Sequence, residues 1–209
     1  MSSVTTNITD EHREAPATRM KSEERRELIL AAAAVVFGER GYVGATTDAV
    51  AKAAGVSQPY VVRMFGTKAA LFQAVLERSL DRLVTQFREE IQQYHPSQGD
   101  LHMRIGKRYV ELLADRGLLL SLMQAFLLGA DPEIGPTARA GFLRVYRLLR
   151  DEGGFSPEDA TQFLEGGMLI NTLVGLRMGA DIDTDPDVRE MLHAAMPTKA
   201  ALLQELARQ

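Results

Sequence analysis

Residues 46–80 read TTDAVAKAAGVSQPYVVRMFGTKAALFQAVLERSL, and this stretch predicts three successive helices. The first two are short, Thr47 to Ala54 and Gln58 to Met64, and the turn between them contains Gly55, a residue type that readily ends a helix. Pro59 lies in the first turn of the second helix, where its missing N–H costs nothing. Two short helices joined by so tight a turn have the lengths of a helix-turn-helix.

The third helix of this stretch is long. Thr67 caps it, and one apolar face continues until Tyr94-His95-Pro96 breaks the pattern. Upstream, a first helix is predicted to begin near Ser22, whose hydroxyl suits an N-cap, and to end at Gly41. The predicted buried stripe of this first helix comprises Leu28, Ile29, Ala32, Val35 and Val36.

The rest of the chain shows the 3.6-residue periodicity of helices and no alternation typical of strands. A cap sequence, Ser156-Pro157, starts a helix that is predicted to run to Gly179. A final helical region begins at Asp185-Pro186, and Pro197 should kink or split it. Between the long helix and Ser156, helices are predicted over 101–115, 117–129 and 134–151.

The predicted fold is therefore all-α, with about nine helices and a short N-terminal helix-turn-helix domain on a larger helical body. The predicted segments are a disordered arm (1–18), the helix-turn-helix domain (19–66), a connecting long helix (67–95) and a second helical domain (96–209).

The composition restricts the function. The chain has no cysteine, which excludes disulfides, thiolate metal sites and cysteine nucleophiles. No apolar run approaches the roughly 20 residues of a membrane span and no signal-peptide core is present, so a cytoplasmic protein is expected. Although the net charge is −4, residues 19–68 contain eight Lys/Arg against five Asp/Glu. A mildly basic N-terminal domain on an acidic body suits a protein that binds DNA through one domain only.

The quoted stretch and the preceding VVFGERGY (residues 35–42) closely resemble the signature of the TetR family of transcriptional regulators. The resemblance covers about Ser22 to Leu80, and the rest of the chain shares only the helical character of the family. It implies an effector-binding C-terminal domain and a homodimer formed by the last two helical regions. No cofactor and no metal are predicted. The predicted function is a repressor that a small, largely apolar effector releases from double-stranded operator DNA with a pseudopalindromic sequence.

A recognition helix must bury one side and leave the other free to enter a major groove about 12 Å wide. Val61 and Phe65 are predicted to face inward, with Val56 beside them. On the opposite face, glutamine can pair with adenine and arginine with guanine. The resemblance adds base reading by the start of this helix, and phosphate contacts by the threonines before the first short helix and by the lysine at the start of the long one. The predicted DNA contacts are Thr46, Thr47, Ser57, Gln58, Pro59, Tyr60, Arg63 and Lys68.

Two positions depart from the family pattern, which commonly has tyrosine and histidine where this chain has Val62 and Met64. Either the contacts shift toward Tyr60 and Arg63, or the affinity for DNA is lower. The predicted contacts also have structural alternatives. Pro59 can serve only to start the helix, Tyr60 can fold onto the core, Arg63 can pair with an acidic neighbour, and Lys68 can be an ordinary solvated lysine.

The helices after Leu101 mix methionine and aromatic side chains with a few polar ones, which suits an adaptable ligand pocket. By resemblance, the effector binds in this domain. Gln124, Asn171 and Arg177 are the stronger candidates because polar groups on apolar helices need partners, whereas a methionine or aromatic residue at helical spacing is more often a core residue. The predicted pocket residues are Met103, Tyr109, Met123, Gln124, Phe126, Tyr146, Asn171 and Arg177.

Gly166-Gly167 permits close backbone approach, which fits a helix packed against its symmetry mate. Two-fold symmetry would place two recognition helices in successive major grooves, about 34 to 36 Å apart. An effector that favours a different spacing would weaken DNA binding through linkage.

Two other functions compete with this interpretation. An enzyme has little support, because His12, His95, His102 and His193 are scattered and no nucleophile elbow, Walker loop or dinucleotide fingerprint is present. A helical dimer of the same fold that binds ligands or proteins but not DNA is the stronger alternative, and Val62 and Met64 motivate it. Salt-dependent binding to a preferred duplex separates the two.

Overall fold

The computed structural model describes residues 15–113 and 115–195, and within these ranges it is built of helices without a strand. The α-helices are α1 Ala15–Gly44, α2 Thr47–Ala54, α3 Gln58–Phe65, α4 Lys68–Gln92, α5 Leu101–Leu112, α6 Arg116–Leu127, α7 Gly135–Arg147, α8 Pro157–Gly175 and α9 Pro186–Ala195. A π-helical turn, Leu148–Glu152, extends α7, and 3₁₀ turns cover Pro96–Gln98 and Met178–Asp181. The prediction of an all-α fold is confirmed, while Pro197 lies outside the described residues.

The first three helices share a small apolar core, because each presents one apolar face to the others. Val50 and Ala51 of α2 and Val61 of α3 are buried in it. Phe37 of α1 lies edge-on to Phe72 of α4, with ring centroids 4.8 Å apart, an arrangement that aromatic rings favour. The start of α4 therefore belongs to the same core and fixes α2 and α3 in place.

The bounds of α1 differ from those predicted. The helix begins at Ala15, so Ser22 is not its N-cap, and residues 15–18 belong to a helix rather than to a disordered arm. Residues 1–14 lie outside the described part of the chain. Near the other end, Gly41 has a φ of +67°, which kinks the helix where its end was predicted.

The buried face of α1 is also rotated from the predicted one. Ile29 and Val36 are buried as predicted, but Leu28 and Val35 are 51% and 48% exposed. The core side is completed instead by small residues, among them Ala34, which faces α6. The buried stripe was predicted mainly from large apolar side chains. Alanine contributes little to such a pattern, so this side of α1 was not recognised.

α6 crosses α1 at very short range. A Cβ on Gly117 would lie 3.1 Å from the backbone C of Ala34 and the backbone N of Val35. The Ser121 hydroxyl, also on α6, donates to the carbonyl of Ala34 at 3.4 Å. The C-terminal helices therefore contact the helix-turn-helix domain directly, in addition to being joined to it by α4.

α4 is shared by both halves of the molecule. Its first turns belong to the N-terminal core, whereas Leu80, Leu83 and Phe87 face the C-terminal helices. At 25 residues the helix is about 37 Å long. A tilt of α4 against the C-terminal helices would consequently displace α2 and α3.

α8 ends at Gly175, four residues before its predicted end at Gly179. The reason is Arg177, whose φ of +57° is left-handed and cannot continue a helix. α9 begins at Pro186 as predicted, and Asp185 accepts the N–H of Asp187 at 2.9 Å. None of the described helices is long and apolar enough to cross a membrane.

Candidate nucleic-acid interface and internal cavity

The turn between α2 and α3 is set by local hydrogen bonds. Thr46 is the N-cap of α2, and its Oγ1 accepts the N–H of Ala49 at 3.1 Å. At the other end Gly55 is left-handed, with a φ of +65°, and the N–H of Val56 donates to the carbonyl of Ala51 at 3.0 Å. α2 thus stops abruptly, and α3 begins at Gln58, where it was predicted to begin.

α3 presents one face to solvent. Val61 is completely buried and Met64 packs partly against the core, whereas Pro59, Val62 and Arg63 are exposed. Ser57 occupies the N-cap position, but its hydroxyl makes no capping hydrogen bond and is therefore available to a phosphate oxygen. The exposed face has the groups that reading a groove requires: an arginine, a hydroxyl and small apolar surfaces.

Tyr60 lies between two arginines. The guanidinium of Arg63 is 5.0 Å from the centre of the Tyr60 ring, and that of Arg25 on α1 is 6.0 Å from it. At exposed positions such cation–π contacts contribute about 0.5–1 kcal/mol. Tyr60 is half-buried against the core, as one of its structural alternatives proposed. Within the described part of the chain Arg63 has no ion pair with a carboxylate, so its acid-pairing alternative is not observed.

Gln58 and Thr47 are in contact. The Gln58 Nε2 donates to the Thr47 Oγ1 at 3.3 Å, which joins the start of α3 to the start of α2. Two predicted DNA contacts therefore orient each other before any DNA is bound. Two arginines of α1 also contact aromatic rings of α3: Arg25 lies near Tyr60, and the Arg26 guanidinium is 5.5 Å from the centre of the Phe65 ring. The sequence analysis did not single them out, because its only signal for them was the basic character of the domain.

Lys68 points into the domain rather than away from it. Its Nζ donates to the carbonyls of Tyr42, Val43 and Ala45 at 3.0, 3.4 and 3.3 Å, and it lies 4.6 Å from the centre of the Tyr42 ring. An ammonium has three donors, so all of them are engaged. A phosphate contact by Lys68, which the family resemblance implies, would have to compete with these carbonyls.

A second site lies among the C-terminal helices, as a narrow cavity of about 50 Å³. Ligand pockets commonly measure about 300–1,000 Å³, so this cavity is much smaller than an occupied ligand site. Its walls come from α4, α5, α6, α7 and α8. They are formed by Leu80, Leu83, Phe87, Tyr109, Leu122, Phe126, Phe142, Val145, Phe163, Leu164, Gly167, Met168 and Asn171.

One polar pair lies in this apolar wall. The Tyr109 hydroxyl donates to the Asn171 Oδ1, and the two residues are only 7% and 4% exposed. Burial raises the pKa of Tyr109, and the hydrogen bond with Asn171 opposes that shift only in part, so the hydroxyl stays protonated at neutral pH. A Cβ on Gly167 would touch the Tyr109 ring at 3.5 Å, which places this glycine against the pair.

Of the predicted pocket residues, Tyr109, Phe126 and Asn171 line the cavity. Met103 and Arg177 are exposed, and Gln124 lies against Gly41 on α1. Met123 packs on the core, and Tyr146 lines an open groove between α7 and α8. Sequence reasoning missed the contribution of α4, although its long apolar face was recognised.

Comparison with known proteins places the helix-turn-helix part of the chain among bacterial regulators. Residues 29–75 match the family of bacterial regulatory proteins called the tetR family. The HTH-type transcriptional regulator UidR of Escherichia coli is 32% identical over 177 residues, which cover 81% of this chain and 87% of UidR. The HTH-type transcriptional activator FasR of Mycolicibacterium smegmatis is 42% identical over 73 residues, or 35% of this chain and 33% of FasR, so the match spans about a third of that relative.

The fold has a solved counterpart. The crystal structure of a transcriptional regulator from Pseudomonas aeruginosa superposes with a TM-score of 0.56 at 19% identity, over 94% of this chain and 99% of that one. At that identity the likeness concerns the fold alone.

Proposed function

Because this chain belongs to the TetR family of bacterial regulatory proteins, and is thus a DNA-binding transcriptional regulator, we propose that it is a homodimeric repressor. Its operator is pseudopalindromic, and a small, largely apolar effector releases it. The observation that carries the proposal is the solvent-facing side of α3, with Arg63 and Pro59 exposed above a buried Val61.

We propose that the effector releases the DNA, and the small size of the cavity supports this direction. The cavity is much smaller than an occupied ligand site, while α2 and α3 pack on the N-terminal core. A ligand that enters must enlarge the cavity, and α4 is both a wall of the cavity and a support of α3. Ligand binding and DNA binding then favour different positions of α4, which is the requirement for release by linkage.

The dimer contact is proposed on α8. Leu169 is 45% exposed, and Leu176, seven residues later at the C-cap of α8, is 66% exposed. A Cβ on Gly166 would touch no other atom of the described residues within 4 Å, so none of them covers the backbone beside Leu169. Two exposed leucines seven residues apart, with a glycine one turn before the first, suit a helix that packs against the same helix of a second copy.

The test begins with selection of bound sequences from random duplex DNA by the full-length protein. We expect a pseudopalindrome to be enriched, and its affinity to fall linearly with salt on logarithmic scales, by about 0.9 per neutralised phosphate. Arg63→Ala should relax the preference at one base position per half-site, whereas Arg147→Ala, an exposed arginine on α7, should change neither preference nor slope.

Failure to enrich any duplex, or binding without salt dependence, would contradict the proposal and favour the helical dimer that does not bind DNA. Screening small molecules for release of the selected duplex then tests regulation. A molecule that tightens DNA binding instead would reverse the proposed direction.

A further inference from the structure

We infer that the effector is an uncharged, largely apolar molecule with one hydrogen-bond acceptor, and that the Asn171 amide holds this acceptor. Tyr109 acts as a positioning residue that fixes the orientation of the amide. The inference rests on the proposed function only in taking the molecule that binds in the cavity to be the effector.

The first reason is an unused donor. The Asn171 side chain accepts the Tyr109 hydroxyl through Oδ1, and among the described residues its Nδ2 has no hydrogen-bond partner. Asn171 is 96% buried and lines the cavity. Nδ2 is not one of the fully buried side-chain atoms that lack a partner, so it keeps access to open space, and a ligand acceptor in the cavity can accept its N–H.

The second reason is the orientation of the amide. A hydroxyl can donate or accept, so an asparagine beside it can present either its oxygen or its nitrogen. In this structure the Asn171 oxygen faces the Tyr109 hydroxyl and accepts from it, which leaves the nitrogen for another group. The Tyr109 ring is itself held edge-on to Phe87, with centroids 6.1 Å apart. The site is consequently built to donate to a ligand.

The third reason concerns charge. Apart from Tyr109 and Asn171, the cavity wall consists of leucine, valine, phenylalanine, methionine and glycine, and among the described residues no charged side chain lines it. Enclosing a carboxylate or an ammonium there would remove its hydration without supplying a counterion. A neutral carbonyl, ether or hydroxyl oxygen needs only the Asn171 donor.

The route of entry is the groove between α7 and α8. Phe142, Leu164 and Met168 line both this groove and the internal cavity, so these three side chains separate one from the other. Methionine is flexible and adapts to ligands of different shape. Rotation of these side chains would join the two spaces, and the apolar part of the ligand would then lie between α7 and α8.

Three matched probes test this inference by equilibrium dialysis without DNA. They are 2-acetylnaphthalene, a neutral ketone; 2-ethylnaphthalene, which replaces the carbonyl by a methylene; and 2-naphthoate, an anion. We expect the ketone to bind the wild-type protein about three- to tenfold more tightly than the hydrocarbon, the effect of one neutral hydrogen bond, and the anion to bind least. Tightest binding by 2-naphthoate, or no binding of any probe up to its solubility limit, would overturn the inference.

Variants locate the effect. In Asn171→Leu the order should reverse in favour of 2-ethylnaphthalene, which is the more hydrophobic probe. Tyr109→Phe should weaken binding of the ketone by a smaller factor and leave binding of the hydrocarbon unchanged. It is the variant to measure if Asn171→Leu does not fold. Tyr94→Phe, whose hydroxyl donates to Gly99 outside the cavity, is the matched control and should behave as wild type.

Persistence of the ketone preference in both cavity variants would refute the role of Asn171. Because no DNA is present, these outcomes are independent of the repressor proposal, whose failure would appear only in operator binding.

Discussion

Lys68 illustrates how the role of one residue depends on what its side chain reaches. Replacing it with methionine keeps most of the alkyl stem and removes the three donors to the carbonyls of Tyr42, Val43 and Ala45. Since hydrogen bonds to charged groups contribute about 1.5–3 kcal/mol and this site is partly exposed, we expect Lys68→Met to lower the free energy of unfolding by about 1–2 kcal/mol. Urea denaturation measures this change.

The matched control is Lys52→Met, because the Lys52 ammonium is in an exposed ion pair with Asp48 at 2.9 Å. Its effect on stability should stay within about 0.5 kcal/mol. If Lys68→Met instead leaves stability unchanged and reduces the salt slope of DNA binding by about 1, Lys68 contacts phosphate as the family resemblance implies.

Sequence reasoning placed Lys68 correctly at the start of a long helix but could not locate its ammonium. The carbonyls that it binds are 23 to 26 residues earlier in the chain, in the segment that follows the kink at Gly41. The cap residue Thr67 was predictable, in contrast, because the N–H that it accepts belongs to Ala70 in the same turn.

At the scale of elements, the contact between α1 and α6 depends on Gly117. Gly117→Ala would place a Cβ 3.1 Å from backbone atoms of α1, which cannot move as a side-chain end can. We expect a loss of about 1–3 kcal/mol in the free energy of unfolding, as in other overpacked contacts.

The control is Gly106→Ala in α5, where the nearest atom to the new Cβ is 4.0 Å away on Phe163. It should be neutral or stabilise by up to about 1 kcal/mol, since alanine favours helices more than glycine does. Equal effects of the two substitutions would show that the helices do not approach as closely as described.

The contact between α4 and the π-helical turn after α7 should depend on pH. Arg88 donates to both carboxylate oxygens of Glu152 at 2.7 Å, and this hydrogen bonding lowers the pKa of Glu152 below its ordinary value. A carboxyl group with a lowered folded-state pKa stabilises the fold above its unfolded pKa and loses that effect as the pH falls through the folded pKa.

Arg88→Met should therefore reduce stability slightly at pH 7, and the difference from wild type should disappear in acid. Thermal unfolding at pH 7 and at pH values below 4 measures this. As a control, the double variant Arg88→Met/Glu152→Gln is compared with Glu152→Gln alone, and this difference should not depend on pH. A difference that persists unchanged in acid would mean that packing of the Arg88 stem, not the ion pair, accounts for it.

Element boundaries were largely predictable, because capping is local. Asp185 and Pro186 start α9, and Gly55 ends α2, as their chemistry indicates. The predictions were wrong where the cause lies elsewhere in the fold. The left-handed Arg177, which has no glycine-like signal, ends α8 early, and the face that α1 buries is selected by the approach of α6.

At the scale of the whole molecule, the cavity could be predicted only in part, because five helices contribute to it. Polar residues on apolar helices were a usable signal, and Asn171, one of the residues selected in this way, lines the cavity. The same signal also selected Gln124, which lies against α1, and Arg177, which is exposed. Which side of each helix faces the cavity is determined by packing between segments distant in sequence, and the periodicity of one helix does not contain that information.

The last prediction concerns the dimer that the proposed operator geometry requires. Leu169→Glu/Leu176→Glu places two like charges on the exposed side of α8 in each copy, so in a two-fold contact four carboxylates would approach one another without counterions. We expect sedimentation to show a monomer at micromolar concentration, with the helical circular dichroism unchanged. Affinity for the full pseudopalindrome should fall to that for a single half-site, because the second recognition helix is no longer attached to the first.

The control is Leu127→Glu, since Leu127 at the end of α6 is also exposed, to 80%, but lies on another helix. This variant should remain a dimer and bind the operator normally. A double variant of α8 that stays dimeric would place the subunit contact on another surface. A monomer that still distinguishes a full site from a half-site would show that the spacing between paired recognition helices does not determine specificity, and effector control through that spacing would then have no basis.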